Sequence, residues 1–172
     1  MVKIHPMTRI FLLICLSAVL VSCEKEKNRG RVITNQEFAL ALQNISKDTL
    51  TLDSHPYILE TDMSRNFFPK AFGPKKHNLV AVIYLVNTDS VAVNNDFTAN
   101  RMYVIHQDKI WMAELENTTI SGKPEYKVGR INSDGPEWET GIEVDVILQI
   151  VDKKSKEVSH LIARKQKIQR LD

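Results

Sequence analysis

Apolar and polar residues alternate with a period of two in several short stretches of the chain, the pattern of half-buried β-strands. It is clearest at residues 142–150, where the even positions are apolar and the odd positions are mostly polar. Residues 158–163 follow a polar segment at 152–156 and close the set of predicted strands. We therefore predict two strands here, separated by a turn.

A second pair of strands is predicted nearer the N-terminus. Phe38, Leu40 and Leu42 alternate with smaller or polar residues, and the pattern resumes at Leu50 and Leu52 after the polar stretch 44–48. This arrangement favours a strand, a turn and a strand.

The middle of the chain predicts further strands. Residues 79–86 are almost entirely apolar, which indicates a central strand covered on both faces. Residues 102–105 and 110–115 predict a hairpin across 106–109, although the apolar spacing of residues 97–115 would also suit a helix. Residues 61–78 show no strand pattern and are predicted to form a long connection.

Several short strands joined by polar turns favour an all-β domain. We predict a single antiparallel, immunoglobulin-like β-sandwich over residues 32–172, about 140 residues and one domain's worth of chain. A transthyretin-like sandwich and a small barrel are the alternatives.

The first residues have the three-part build of an export signal. Lys3 and Arg9 form a positive region, and an apolar run at residues 10–20 follows. As a helix this run would rise only about 16 Å, roughly half of a bilayer's ~30 Å hydrocarbon core. A cleaved signal is therefore the better interpretation than a membrane span.

Leu20-Val21-Ser22-Cys23 closes the apolar run and resembles the lipobox of bacterial lipoproteins. The resemblance implies cleavage between Ser22 and Cys23, a diacylglycerol on the Cys23 sulfur and usually an acyl chain on its amino group. Two or more chains anchor a protein stably in a membrane. An ordinary secretory signal, with Cys23 incidental, is the alternative.

The same resemblance implies how the chain is divided into segments and where in the cell the protein is located. Residues 1–22 would be the signal peptide, and residues 23–31 the lipidated cysteine and a polar tether. Glu24 follows the cysteine where Asp would favour retention at the inner membrane, so we expect the outer membrane, at its periplasmic face or at the cell surface.

Composition narrows the classes of function. Removing residues 1–22 takes away Lys3 and Arg9 and no acid, so the mature chain has 21 basic and 21 acidic residues. Such a chain has no net field to attract nucleic acid. Cys15 leaves with the signal and Cys23 would carry lipid, so we expect no disulfide and no thiolate chemistry. The remaining histidines are isolated, and we expect neither a metal nor a cofactor.

No catalytic motif occurs in residues 23–172: the GxSxG, SxxK and KTG patterns of serine enzymes are absent there. Our first hypothesis is a non-catalytic module that binds or scaffolds an envelope protein or glycan. The alternative is an envelope hydrolase whose carboxylates come together only in the fold.

Two segments are candidate ligand or partner contacts. Glu137 and Glu139 flank Trp138 in a stretch bounded by glycines, where the indole could stack on a sugar or plug the sheet beneath it. Phe67 and Phe68 lie in the predicted long connection, where they could contact a partner or anchor the loop. We favour the plug and the anchor.

Overall fold

The computed structural model describes residues 30–68, 76–94, 96–115 and 123–172 of the chain. It contains two β-sheets and a helix, α1 (Gln36–Ile45). The strands are β1 (Arg31–Thr34), β2 (Leu50–Leu52), β3 (His55–Asn66), β4 (Leu79–Asn87), β5 (Phe97–His106), β6 (Lys109–Glu114), β7 (Lys127–Asn132), β8 (Glu143–Asp152), β9 (Val158–Lys167) and β10 (Gln169–Leu171).

The two sheets are mostly antiparallel. The first has the order β1-β6-β5-β8-β9, and the second has the order β10-β3-β4-β7 with β2 paired to β3. Strand β10 runs parallel to β3, which makes it the exception. The prediction of an all-β, two-sheet sandwich is confirmed, while the immunoglobulin-like assignment stays a prediction.

The main core lies between the sheets. Ile83 and Leu85 of β4 meet Val146 and Leu148 of β8 in one buried cluster, with Trp111 of β6 fully enclosed. The first sheet is also covered on its other face, where Ala39 and Leu42 of α1 pack against a second cluster. That cluster includes Tyr103, Ile105, Ile110, Ile147 and Ile162. The molecule therefore has three layers: helix, sheet and sheet.

The predicted strand at Phe38, Leu40 and Leu42 is wrong, because these residues lie in α1. Asn35 caps the helix: its Oδ1 accepts a hydrogen bond from the Phe38 amide at 2.9 Å. The helix buries Ala39 and Leu42, three residues apart, and leaves Leu40 51% exposed. Leu50 and Leu52 do form a strand, β2.

Two further predictions are corrected in part. Residues 61–66, assigned to a long connection, are the second half of β3. The helical alternative for residues 97–115 is wrong, since they form the hairpin of β5 and β6. Strand β1 begins at Arg31, the last residue of the predicted tether, and pairs with β6.

Strand β4 is central in its sheet, between β3 and β7, as predicted. However, the expectation that both faces are covered is wrong. Leu79, Ala81, Ile83 and Leu85 are buried in the main core, whereas Val80, Val82 and Tyr84 on the other face are half-buried. The strands that bury residues in both clusters belong to the first sheet, which lies between α1 and the second sheet: they are β5, β6, β8 and β9.

Candidate functional site

Arg65 connects the two segments that the sequence singled out. It lies near the end of β3 and is 8% exposed. Its Nε donates to the His77 carbonyl at 2.6 Å, and its Nη1 donates to the Trp138 carbonyl at 2.7 Å. A buried guanidinium needs such acceptors. Arg65 thereby fixes the backbone at Trp138 beside the strand that leads to Phe67.

Phe67 is held on several sides by polar and charged groups. Its ring stacks on His77 with centroids 4.6 Å apart, and the Arg170 guanidinium lies 4.1 Å from the ring centroid. Arg65 lies 5.0 Å from the same centroid. The Phe67 amide also donates to the Leu171 carbonyl at 2.7 Å. Phe67 is therefore an anchor that ties the end of β3 to β10.

Trp138 is half-buried and packs against the main core, while Glu137 and Glu139 on either side are exposed. Phe68 is exposed by 51% of its surface. We call the area formed by Arg65, Phe67, Phe68 and residues 137–139 the Arg65 surface. Its exposed groups are thus one aromatic ring and two carboxylates, while Trp138 and Phe67 contact the protein itself.

A second site, which the sequence reasoning missed, lies at the edge of the second sheet. Arg130 of β7 pairs with Ile83 of β4, and cross-strand partners point to the same face. The arginine therefore points inward, toward the space between the sheets. It lines a cleft whose other walls are Ile83, Leu85, Val93, Asn94, Phe97, Ala99, Val128 and Leu148. We call it the Arg130 cleft.

The signal for this site was present in the sequence. Val128, Arg130 and Asn132 alternate with Gly129 and Ile131, so an arginine occupies an inward position of a strand. The strand itself went unpredicted because residues 127–132 contain a glycine and too few apolar residues for a clear pattern. Because β7 was not predicted, the sequence did not show that the Arg130 side chain points inward.

A groove of about 280 Å³ is relevant to the alternative that the protein is a hydrolase. It is lined by Ile45, Lys47, Leu50, Glu157, Val158, Ser159 and His160. Burial lowers the pKa of the His160 ring, which favours its neutral form. However, Ser159 and His160 are neighbours in β9, so their side chains leave the strand on opposite faces. The groove therefore does not bring a serine and a base together.

Two acidic side chains of the first sheet are engaged with donors. Glu114 lies 3.7 Å from Arg101, and Asp145 accepts from Gln43 at 2.7 Å. Among the same residues, no three His, Cys, Asp or Glu side chains form a group that could hold a metal ion.

Ser22 and Cys23, the predicted cleavage and lipidation residues, lie outside the described residues. In the part of the chain that the structure describes, no helix is long and apolar enough to cross a membrane.

Comparison of the chain with protein-family models, with curated proteins and with solved structures gives no match.

Proposed function

We propose that the protein is a lipid-anchored component of the bacterial outer membrane and that its sandwich binds a partner without catalysing a reaction. The resemblance of residues 20–23 to a lipobox supports the anchor on Cys23. The Arg65 surface supports binding, because Arg65 holds two separate segments together beside the exposed Phe68, Glu137 and Glu139 side chains.

The exposed groups of the Arg65 surface favour a protein partner over a glycan. Sugar recognition usually uses the face of an aromatic ring, but Trp138 packs against the core and Phe67 is stacked on His77. Phe68 remains exposed, and exposed aromatic residues are enriched where proteins meet. Glu137 and Glu139 add negative charge, so a partner with a basic rim would be complementary.

Site-specific photo-crosslinking in intact cells tests this proposal. A photoreactive amino acid would replace Phe68, and the matched control would replace Leu40, since both side chains are 51% exposed. We expect a discrete protein adduct from position 68 and none from position 40.

Charge reversal sharpens the same test. Glu137→Lys combined with Glu139→Lys should weaken the adduct at position 68, because both acids are exposed and add attraction to a basic partner. Protease treatment separates the partner classes, since digestion would leave a glycan partner intact on a short peptide of this chain but would cut a protein partner into peptides. Equal labelling from positions 68 and 40, or none from either, would contradict the proposed binding surface.

A further inference from the structure

The outer edge of β9 is paired at one point of its length. Strand β9 is the last strand of the first sheet, so β8 bonds to one of its sides and the other side is an edge. The Lys47 N–H donates to the His160 carbonyl at 3.0 Å, and the Ile162 N–H donates to the Lys47 carbonyl at 3.0 Å. The even-numbered residues of β9 therefore turn their backbone groups away from β8 and toward the edge.

Pairing of this edge stops at Lys47. In a parallel pair the next bonds would come from Ile45, two residues earlier, but Ile45 is the last residue of α1. The Val158 N–H and C=O and the His160 N–H consequently face the edge with no backbone partner among the described residues. Unpaired strand groups of this kind are a template for a further strand.

The groove of about 280 Å³ described above lies along this open stretch. Ser159 and His160, whose side chains leave β9 on opposite faces, both line it, which places the groove at the edge of the strand. Its other walls come from the end of α1 and from β2 of the second sheet. We call it the β9 groove, and its lining residues are Ile45, Lys47, Leu50, Glu157, Val158, Ser159 and His160.

Two aliphatic side chains of the β9 groove are half exposed: Ile45 at 57% and Val158 at 50%. The charges of Lys47 and Glu157 are opposite in sign, and burial lowers the pKa of the His160 ring, so the groove has no net charge at neutral pH. An occupant that suits these walls has an extended backbone, an aliphatic side chain and no need of a charge.

We propose that the β9 groove binds an extended segment of a partner protein, which adds a strand to the first sheet and places an aliphatic side chain between Ile45 and Val158. The unpaired backbone groups of Val158 and His160 favour an extended peptide, because main-chain pairing is how a sheet edge recognises one.

A single segment suits the β9 groove better than the edge strand of a second copy. The open stretch is short, since Lys47 and the end of α1 close it, and a folded sheet would have to pass both. The β9 groove shares no residue with the Arg65 surface, so this inference does not depend on the proposed function. Its test can fail while crosslinking from position 68 succeeds.

Amide-resolved NMR titration of the full mature protein, extracted in uncharged detergent, tests the inference with a defined peptide. The probe is acetyl-Thr-Thr-Val-Thr-Thr-amide, which is uncharged, favours an extended backbone and carries one aliphatic side chain. We expect saturable shifts of the Ser159 and His160 amide signals.

Two comparison peptides separate the parts of the proposal. One is N-methylated at the valine and at the next threonine, which removes an N–H from each edge of the extended peptide, and it should bind at least tenfold more weakly. The other has alanine in place of valine and should bind at least threefold more weakly, because it buries less apolar surface.

Val158→Pro is the decisive variant, because it removes one edge-facing N–H and keeps an apolar side chain. Proline is tolerated at the first residue of a strand and where the N–H faces solvent. Val158 is the first residue of β9, so the variant should fold. It should bind the valine peptide at least tenfold more weakly.

Val32→Pro is the matched control. Val32 is 42% exposed on β1, the opposite edge strand of the same sheet. The Asn35 N–H donates to the Asp108 carbonyl at 2.8 Å, so the odd-numbered residues there bond toward β6 and the Val32 N–H faces the edge. Its affinity for the peptide should be unchanged.

Ile45→Ser tests the apolar wall without removing a backbone donor. Because Ile45 is exposed, the change should have little effect on stability, yet it should weaken binding of the valine peptide at least threefold.

Four results would overturn the proposal. They are the absence of saturable shifts at tens of millimolar peptide, equal binding of either comparison peptide, and equal affinities in Val158→Pro and Val32→Pro. The fourth is a concentration-dependent dimer of the wild type that Val158→Pro abolishes, which would assign the edge to a second copy. Sedimentation measures the dimer, and a thermal melt of each variant shows that it is folded.

Discussion

At the scale of single residues, Gly135 shows how a loop position depends on the absence of a side chain. A Cβ there would lie 2.6 Å from the Leu79 carbonyl oxygen and 2.7 Å from the Trp111 ring. Both neighbours are buried and cannot retreat easily. The Gly135 amide also donates to the same Leu79 carbonyl at 3.0 Å. The glycine therefore lets the segment before Trp138 approach the beginning of β4.

We expect Gly135→Ala to destabilise the protein by about 1–3 kcal/mol, the usual cost of overpacking a core. Urea denaturation measures the change in the free energy of unfolding. A variant as stable as wild type would contradict the close packing of the Gly135 backbone against Leu79 and Trp111.

Gly141 is a control for Gly135, because a substitution there would destabilise the protein through backbone strain and not through overpacking. It has open space around its Cβ position but a φ of +84°, a conformation that L-residues rarely adopt. Asn tolerates positive φ better than Ala. Gly141→Asn should therefore cost less than Gly141→Ala, whereas at position 135 the larger Asn should cost more than Ala.

The residue scale also shows what the sequence could predict about the sites. Trp138 and Phe67 were identified as unusual from composition and spacing alone, and the structure finds both against the protein, in line with the favoured plug and anchor interpretations. Their connection through Arg65 could not be predicted, because it joins residues 73 positions apart. Such a contact follows from strand register, which local patterns do not specify.

At the scale of elements, α1 explains why a period-two pattern misled the prediction. Phe38, Leu40 and Leu42 alternate as in a strand, but Phe38, Ala39 and Leu42 also fit one face of a helix. The local chemistry favours the helix: Asn35 is a good N-cap, and Ala, Leu, Gln and Glu are strong helix formers. Period alone did not separate the two possibilities over such a short stretch.

Paired substitutions in α1 distinguish helix from strand in solution. A strand would place Leu40 and Leu42 on the same face, so both changes to Ala would cost similar free energy. In the helix, Leu42 is 3% exposed and Leu40 is 51% exposed. We expect Leu42→Ala to lower the free energy of unfolding by about 2–5 kcal/mol and Leu40→Ala to change it by about 0.5 kcal/mol or less.

Chemical denaturation of the two variants side by side gives the answer. Similar losses of unfolding free energy in both variants would contradict the helical assignment. A large loss in Leu40→Ala alone would mean that the opposite face of α1 packs on the first sheet.

Strands were predicted best where apolar and polar residues alternate regularly along the whole strand. Residues 142–150 alternate cleanly and lie in β8 (Glu143–Asp152) apart from the first. Strand β3 was predicted poorly, because its second half includes Ser64 and Arg65, polar residues that are nevertheless buried. Burial there depends on partners that come from distant parts of the chain. The sequence therefore indicated the fold class more clearly than the extent of each strand.

At the scale of the whole molecule, the proposed function gives the three-layer domain and the N-terminal segment separate roles. The described residues supply a packed core that contains no cysteine, so its stability comes from burial of apolar surface. The proposed anchor depends entirely on Cys23, which precedes β1 in the chain. Lipid attachment can therefore be tested without changing any residue of the core.

We expect the membrane-extracted mature protein to have the mass of residues 23–172 plus two or more acyl chains. Cys23→Ala should abolish the added mass, because the thioether that carries the diacylglycerol cannot form. Cys15→Ala is the matched control, since it removes the other cysteine of the chain within the predicted signal and should leave lipidation intact. Intact mass spectrometry of the three proteins, with membrane and soluble fractions compared, measures both effects. A wild-type chain that begins at Cys23 without added mass would contradict the anchor, and the protein would then be a freely diffusing exported domain. The binding proposal at the Arg65 surface would survive that result, because it does not use Cys23.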